Sequence, residues 1–430
     1  LSLTVIAIFG IAILLLFMAI RIPIAFAMAV IGFVGIAYVT NWHAALQIVA
    51  AELWHMFSSY TLTAIPTFVL MGNFAFKSGL TERLYRTAGA WVGHFPGGIG
   101  GTTILASAGF GAICGSGIAA TATMTTVAMP EMKKHNYDLG FSAGMLAVAG
   151  TLGIIIPPSL IMIIVATTVG ESVTQLFIAG LIPGLFLTLT MLGLCVFMCW
   201  RNPKLGRRGT RASWSDRISS LTGVIEILLI FLLVIGGIYL GWFTPTEAGA
   251  VGAFGVLVSS VVRGQMTLAA CKGALIDTAR LSAMVIFLIA ASVIFGKFMA
   301  VTRLPFEIIK LVQGLEASHL LVLLIIIGIF IIGGMLIDSV AFLVLALPIF
   351  FPVVVSLGYD PIWFLLIATI VTAAGAVTPP VGVHIFVVGG IQPEIPISKI
   401  FRGSNIFMTT YVLLIAVMII YPDIFLILLR

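Results

Sequence analysis

Charge is what this sequence has least of. Asp, Glu, Lys and Arg make up 8% of the chain and hydrophobic residues 61%, proportions far from those of soluble globular domains. No polar stretch is long enough for a second domain, so residues 1–430 read as a single membrane domain. The 6 histidines are scattered and the acids few, so no nucleophile–base constellation is visible and an enzyme is the least favoured class. The glycine-rich stretches lack the lysine of a phosphate-binding loop, which turns the reading from ATP towards an ion gradient as energy source. The 4 cysteines have neither zinc nor disulfide spacing and read as apolar packing. No cleavable leader is apparent, and the first apolar run, 3–20, is expected to span.

What the chain does have is apolar segments from end to end, the pattern of an all-α polytopic membrane protein. The spacing predicts spanning helices at about 3–20, 23–40, 61–78, 176–200, 221–241, 246–262, 281–300 and 404–428. Segments 43–58, 81–92, 268–280 and 303–316 read as amphipathic arms lying against lipid. Within the last, Arg303 and Glu307 stand one turn apart as a solvated pair.

Two diproline breaks interrupt apolar helices, Pro157-Pro158 in 140–168 and Pro379-Pro380 in 361–390, 222 residues apart (379 − 157). At that offset Gly111 meets Gly333, Ala119 meets Ala341, Pro130 meets Pro352, Tyr137-Asp138 meets Tyr359-Asp360 and Gly153 meets Gly375. Each break follows a glycine-rich segment, 97–130 and 320–357, that reads as a re-entrant hairpin. The expected organisation is therefore two repeats, 61–200 and 281–428, each with one hairpin and one broken helix. Paired broken helices in repeated halves are the sequence form of a secondary transporter, because freed backbone is tolerated at membrane depth only where it lines a cavity or binds something. The net charge of +6 reads as a topology signal rather than nucleic-acid affinity. With the basic 201–217 loop in the cytoplasm, most other Lys and Arg clusters fall on the same side and the repeats become inverted.

A proline pair removes two helix donors and frees carbonyls one turn earlier. Carbonyls around Gly150, Gly153 and Ile156, and around Gly375 and Thr378, are thus expected to face a cation. The hairpin tips add Gly115 and Ser116 on one side and Gly333, Asp338 and Ser339 on the other. Carbonyls and hydroxyls with at most one carboxylate suit Na⁺ rather than a soft metal, so two Na⁺ sites are expected, one per repeat. Asp338 is the strongest candidate, since a carboxylate inside a long apolar segment is costly and functional by default. Half-helix N-termini beyond the breaks would turn partial positive charge towards an anionic substrate, with Ser116, Pro158, Ser159, Thr378 and Pro380 as contacts. His384 follows the second break by one turn and either touches substrate, senses protons or packs.

The chain resembles, over essentially its full length, the large membrane subunit of tripartite ATP-independent periplasmic (TRAP) transporters, the DctM type. The resemblance rests on ordered stretches: Arg21-Ile22-Pro23-Ile24-Ala25-Phe26, Ala64-Ile65-Pro66-Thr67-Phe68, Val92-Gly93-His94-Phe95-Pro96-Gly97-Gly98, Gly115-Ser116, Gly150-Thr151-Leu152-Gly153 running into Pro157-Pro158-Ser159, Thr244-Pro245-Thr246-Glu247-Ala248-Gly249 and Thr378-Pro379-Pro380-Val381-Gly382. It implies an elevator in which hairpins and broken helices slide against a scaffold. It also implies Na⁺-coupled import of carboxylates across the bacterial inner membrane, a small four-helix membrane subunit, and a periplasmic substrate-binding protein. In some members the small subunit is fused ahead of the large one, which a chain starting at Leu1 rather than Met fits. Two departures stand out: Gly117 occupies a position where the family often has a second hydroxyl, and Val371 and Ala373 stand where many members carry an acid or amide. A stand-alone Na⁺–dicarboxylate symporter, an antiporter of the same superfamily and a passive anion channel are the competing functions.

Overall fold

The computed structural model describes residues 2–209, 211–314 and 318–429, and every regular element among them is helical. The chain opens with α1 (Leu3–Ala19) and α2 (Ile24–Val39), parted at Arg21, whose backbone is left-handed, and Pro23. Then come α3 (Trp42–Phe57), α4 (Ala64–Lys77) and α5 (Leu80–Val92). The first helical hairpin is α6 (Gly98–Cys114) and α7 (Gly117–Lys134), followed by the broken helix α8 (Leu139–Gly150), α9 (Leu152–Ile155) and α10 (Leu160–Val169). Next are α11 (Val173–Arg201), α12 (Trp214–Leu221), α13 (Ile225–Tyr239), α14 (Pro245–Val262) and α15 (Leu268–Val301). The second half has α16 (Leu304–Gly314), the hairpin α17 (His319–Leu336) and α18 (Ser339–Ser356), and the broken helix α19 (Pro361–Gly375) and α20 (Val383–Ile391). It closes with α21 (Ile397–Ile420) and α22 (Pro422–Leu426).

Six of the described helices are long and apolar enough to cross a membrane, and the first broken helix, bent by 48°, makes a seventh. At 1.5 Å per residue, the 18 residues each of α17 and α18 reach about 27 Å, nearly the hydrocarbon thickness of a bilayer.

Local chemistry explains several of the sequence signals. Asp138 and Asp360, which coincide at the repeat offset, are both N-caps: Phe141 N–H donates to Asp138 (2.7 Å) and Trp363 N–H to Asp360 (2.8 Å). Thr244-Pro245-Thr246-Glu247 is a capping box with proline in the first turn; Thr244 N–H donates to Glu247 (2.8 Å) and Glu247 N–H to the Thr244 hydroxyl (3.3 Å).

Three boundaries differ from expectation. The 268–280 arm and the 281–300 span are one continuous helix of 34 residues, α15. Its polar N-terminal part has partners on α4: Lys77 pairs with Asp277 (3.0 Å) and Asn73 donates to Thr278 (2.8 Å). The last long helix begins at Ile397 rather than 404 and ends at the Tyr421–Pro422 junction. The basic 201–217 loop runs into a short helix, α12, started by a Ser213–Asp216 capping box. In the 303–316 arm, Glu307 pairs with Lys310 (3.2 Å) rather than with Arg303, and residues 315 and 316 lie outside the described set.

Two packing groups organise the molecule. In one, α15 runs against α2 and α4, α4 against α14, α1 against α2 and α13 against α14. In the other, α8 lies against α21, α17 against α19, and α6 and α7 against α8. The α8–α21 crossing is a glycine contact. A Cβ on Gly144 would run into the backbone of Gly403 and Ser404, whereas one on Gly193, in α11, would meet nothing within 4 Å. Gly144→Ala is therefore expected to destabilise by roughly 1–3 kcal/mol, the cost of overpacking, while Gly193→Ala is neutral or slightly stabilising. Thermal unfolding of the purified protein in detergent reads the difference, and equal melting temperatures would remove the crossing as a constraint.

Candidate functional site

The two hairpin tips share a side-chain cap at the same position but turn differently: Gly115 is left-handed, whereas its counterpart Ile337 is extended. Cys114 ends α6, Gly115 turns through a left-handed conformation (φ 61°), and Ser116 caps α7 by accepting from Ala119 N–H (3.4 Å). At the second tip Asp338 caps α18, its carboxylate accepting from Val340 N–H (3.0 Å) and Ala341 N–H (3.3 Å). Ser116 and Asp338 are 222 residues apart (338 − 116), the spacing of the proline pairs, so one structural position carries a hydroxyl in one half and a carboxylate in the other.

Each tip is pressed against a broken helix by backbone contact. A Cβ on Gly111 would lie 2.7 Å from Gly153 Cα, and one on Gly334 would lie 3.0 Å from Thr372 Cα. Leu160 N–H, the first of α10, donates to the Gly115 carbonyl (3.1 Å), which ties the first tip to the first break. Both diproline bonds, Pro157–Pro158 and Pro379–Pro380, are cis.

Beyond each break, the short half-helix crosses to the other half of the chain: α10 packs against α18, and α20 against α7. Two polar links fasten the second crossing. At one end, Lys133 on α7 donates to the side chain of Gln392 (2.6 Å), the C-cap of α20. Thr121 on α7 donates its hydroxyl to the Gly117 carbonyl (2.9 Å) and stands 2.7 Å from Nδ1 of His384 on α20. The hydroxyl has one proton, so with that proton on Gly117, Nδ1 is the donor and Nε2 keeps its lone pair. The positions matching Thr121 and His384 at the repeat offset are Leu343 and Met162 (121 + 222, 384 − 222), so the first crossing has no such pair.

A cavity of about 210 Å³ lies where these parts converge, lined by Gly115, Ser116, Asp338, Ser339 and His384 together with apolar groups that include Ile154 and Met284. The Ser339 hydroxyl is buried and has no hydrogen-bond partner, which leaves an oxygen available to a cation or a donor.

The remaining expected site residues do not line this cavity. The Ser159 hydroxyl is buried and donates to the Ile154 carbonyl (2.6 Å). Thr378 donates to the Ala374 carbonyl (2.8 Å), and Pro380 is exposed. Pro158 is buried; Gly150 faces Thr121, and Gly153 faces Gly111 and Ser116. Gly333 packs against the Phe342 ring, Gly375 against the backbone at Gly334, and the Ile156 side chain against Gly184. Several carbonyls freed by the prolines have taken other donors: Gly375 O accepts from Thr378 N–H (2.9 Å) and Ala376 O from His384 N–H (3.2 Å). Among the described residues no group of three His, Cys, Asp or Glu is placed to hold a metal ion. Sequence reasoning missed Thr121, because a threonine on a helix says nothing of a partner 263 residues away.

The fold is that of known helical membrane transporters. It aligns with the YdaH transporter of Alcanivorax borkumensis at a TM-score of 0.63, with 14% identity and 88% of each chain covered. It also aligns with MtrF of Neisseria gonorrhoeae at 0.56, with 14% identity over 88% of this chain and 84% of that one. At such identity the likeness concerns the fold alone. The profile described as "Tripartite ATP-independent periplasmic transporter, DctM component" matches residues 11–424, and the chain belongs to that family of TRAP large permease subunits. Among its relatives, the C4-dicarboxylate TRAP transporter large permease protein DctM of Pseudomonas aeruginosa is 35% identical over 83% of each chain. The 2,3-diketo-L-gulonate TRAP transporter large permease protein YiaN of Escherichia coli is 32% identical over 94% of each. The isethionate TRAP transporter permease protein DctMQ of Oleidesulfovibrio alaskensis is 32% identical over 94% of this chain and 63% of its own length.

The Thr121–His384 bond is the testable element of this geometry. Thr121→Val, which keeps the shape, leaves the buried Nδ1 of His384 without its partner, at a cost of about 1–3 kcal/mol. Combined with His384→Met, the residue found at the matching position, it is expected to be non-additive by about 0.5–3 kcal/mol in a double-mutant cycle of thermal stability. Additive losses would mean that the two side chains do not interact.

Proposed function

We propose that the chain is the ion-coupled permease of a tripartite importer for an organic acid, and that the cavity between the hairpin tips is where ion and substrate are carried. The carrying observation is that this one cavity collects Gly115 and Ser116 from one hairpin, Asp338 and Ser339 from the other, and His384 from the second half-helix. Hydroxyl and carboxylate oxygens in that setting suit Na⁺ as a co-transported ion, with one site on each tip. His384, holding its proton on Nδ1, offers Nε2 to a substrate hydroxyl or to the ion. The relatives named above are described as carriers of a C4-dicarboxylate and of diketogulonate, both anions at neutral pH, so the proposed cargo is a carboxylate.

In this reading the two halves are inverted repeats in the bacterial inner membrane. The group around α8, α17, α19 and α21 moves as an elevator against the α2–α4–α14–α15 scaffold. The partners are a periplasmic binding protein that delivers the acid and a small membrane subunit; the name DctMQ of one relative, longer than this chain, is consistent with fusion of the two membrane parts.

Proteoliposomes containing this chain and the small subunit are expected to accumulate the labelled acid only with an inward Na⁺ gradient and the binding protein. Uptake without the binding protein would favour the stand-alone symporter, and flux without Na⁺ a channel. Asp338→Asn is expected to shift half-maximal Na⁺ activation upward about tenfold, the effect of roughly 1.4 kcal/mol. Unchanged activation would take Asp338 out of the ion site.

A further inference from the structure

α5 and α12, neither of which lines the transport cavity, form a short amphipathic pair. Their 13 and 8 residues reach only about 20 and 12 Å, too short to span a bilayer. They are fastened together by the Thr87 hydroxyl, which donates to the Ser220 carbonyl (2.8 Å). Trp214 and Ile218 on α12 are both more than 60% exposed, and Trp91 on α5 is partly exposed. Tryptophan and apolar residues on a short cationic helix pair are the anchors of a segment lying at the lipid–water boundary.

Between these helices and the end of α14 lies a cavity of about 420 Å³, lined by Arg83, Arg86, Asp216, Ser219 and Arg263 among others. The charges there are unequally engaged. Arg263 is held by Glu226 through Nε (2.8 Å) and donates to the Thr222 carbonyl (2.7 Å). Asp216 is occupied by its own capping box, accepting from Ser213 N–H (3.2 Å) and the Ser213 hydroxyl (2.6 Å). Arg83 differs: its Nε and Nη1 are both buried and neither has a hydrogen-bond partner. Burying guanidinium donors without an acceptor is expensive, and the acceptor that matches their planar fork is an oxyanion such as phosphate.

We infer that this pocket holds the phosphate of an anionic phospholipid headgroup, with Arg83 and Arg86 as its cations and the acyl chains passing over Trp214 and Ile218. Exposed apolar anchors beside the pocket favour a lipid over a free anion as the source of that phosphate. Bound lipid would brace α12 against α5, steadying the start of α13, which follows and packs on α14.

The test is native mass spectrometry of the purified full-length protein in mild detergent, titrated with phosphatidylglycerol, phosphatidylcholine, or inorganic phosphate with phosphatidylglycerol present. One tight phosphatidylglycerol per chain is expected, preferred over phosphatidylcholine by about tenfold or more. Arg83→Gln should abolish that preference, and Arg201→Gln, outside the pocket, should retain it. Ser219→Asp leaves every arginine in place but sets a carboxylate in the lining, and it should also abolish the preference, which covers the case in which Arg83→Gln does not fold. Equal binding of the two lipids, or wild-type preference in Arg83→Gln or Ser219→Asp, would overturn the assignment. Displacement of the lipid by millimolar inorganic phosphate would make the pocket a free-anion site instead.

Discussion

The arrangement depends on an exchange: each short half-helix beyond a diproline break packs against the hairpin of the other half while keeping contact with its own. A continuous helix could not do this. Proline removes the backbone donors that would carry the helix through and clashes with the preceding turn, so the chain is free to change direction after Ile155 and Gly375, where the first segments end. The exchange makes the two halves one body, because neither hairpin has its full set of packing partners without the opposite half-helix. It also makes the tips meet. Ser116 and Asp338 cap their helices from equivalent positions and look into the same cavity.

The equivalence is not complete, and the asymmetry bears on function. One crossing is fastened by Thr121 and His384, while the matching positions, Leu343 and Met162, are apolar. One tip presents a neutral hydroxyl and the other a carboxylate. A cavity bounded in this way has a direction: the acidic tip suits a cation, and the imidazole lone pair opposite suits a donor group or a second ion. An architecture of two similar halves can alternate between two faces, and in the proposed reading the unequal side chains at the centre would serve different partners in the two places.

Much of the plan was legible in the sequence because its signals are backbone chemistry. Diprolines and glycine turns act locally, so Pro157-Pro158 and the glycine-rich tip around Gly115 could be read in place, whereas Asp138 and Asp360 were legible only as matching repeat positions and not as caps. Boundaries marked only by a change in polarity misled. Lys272, Asp277 and Arg280 suggested an arm separate from the span at 281–300, yet nothing in 268–301 breaks a helix, and Lys77 on α4 accommodates Asp277. Lys399 and Arg402 hid the start of α21 in the same way. Long-range side-chain partners were beyond reach altogether. Thr121 had no visible role until α20 was placed beside it, and the unpartnered Arg83 donors emerge only when α5, α12 and α14 come together. The carbonyls expected to face an ion are a subtler case. The proline rule identified which ones lose their helix donors, but not that the Ser159 hydroxyl and His384 N–H would then supply new ones to Ile154 and Ala376.

The central claim is that ion and substrate share the cavity between the two tips. A cryo-electron microscopy structure of the assembled transporter in Na⁺, compared with one in a bulky organic cation, tests it most directly. The account predicts ion density within coordination distance of the Ser116–Gly115 tip and of Asp338 or Ser339, lost when Na⁺ is replaced. Density confined to another part of the molecule, with this cavity unchanged between the two conditions, would contradict it.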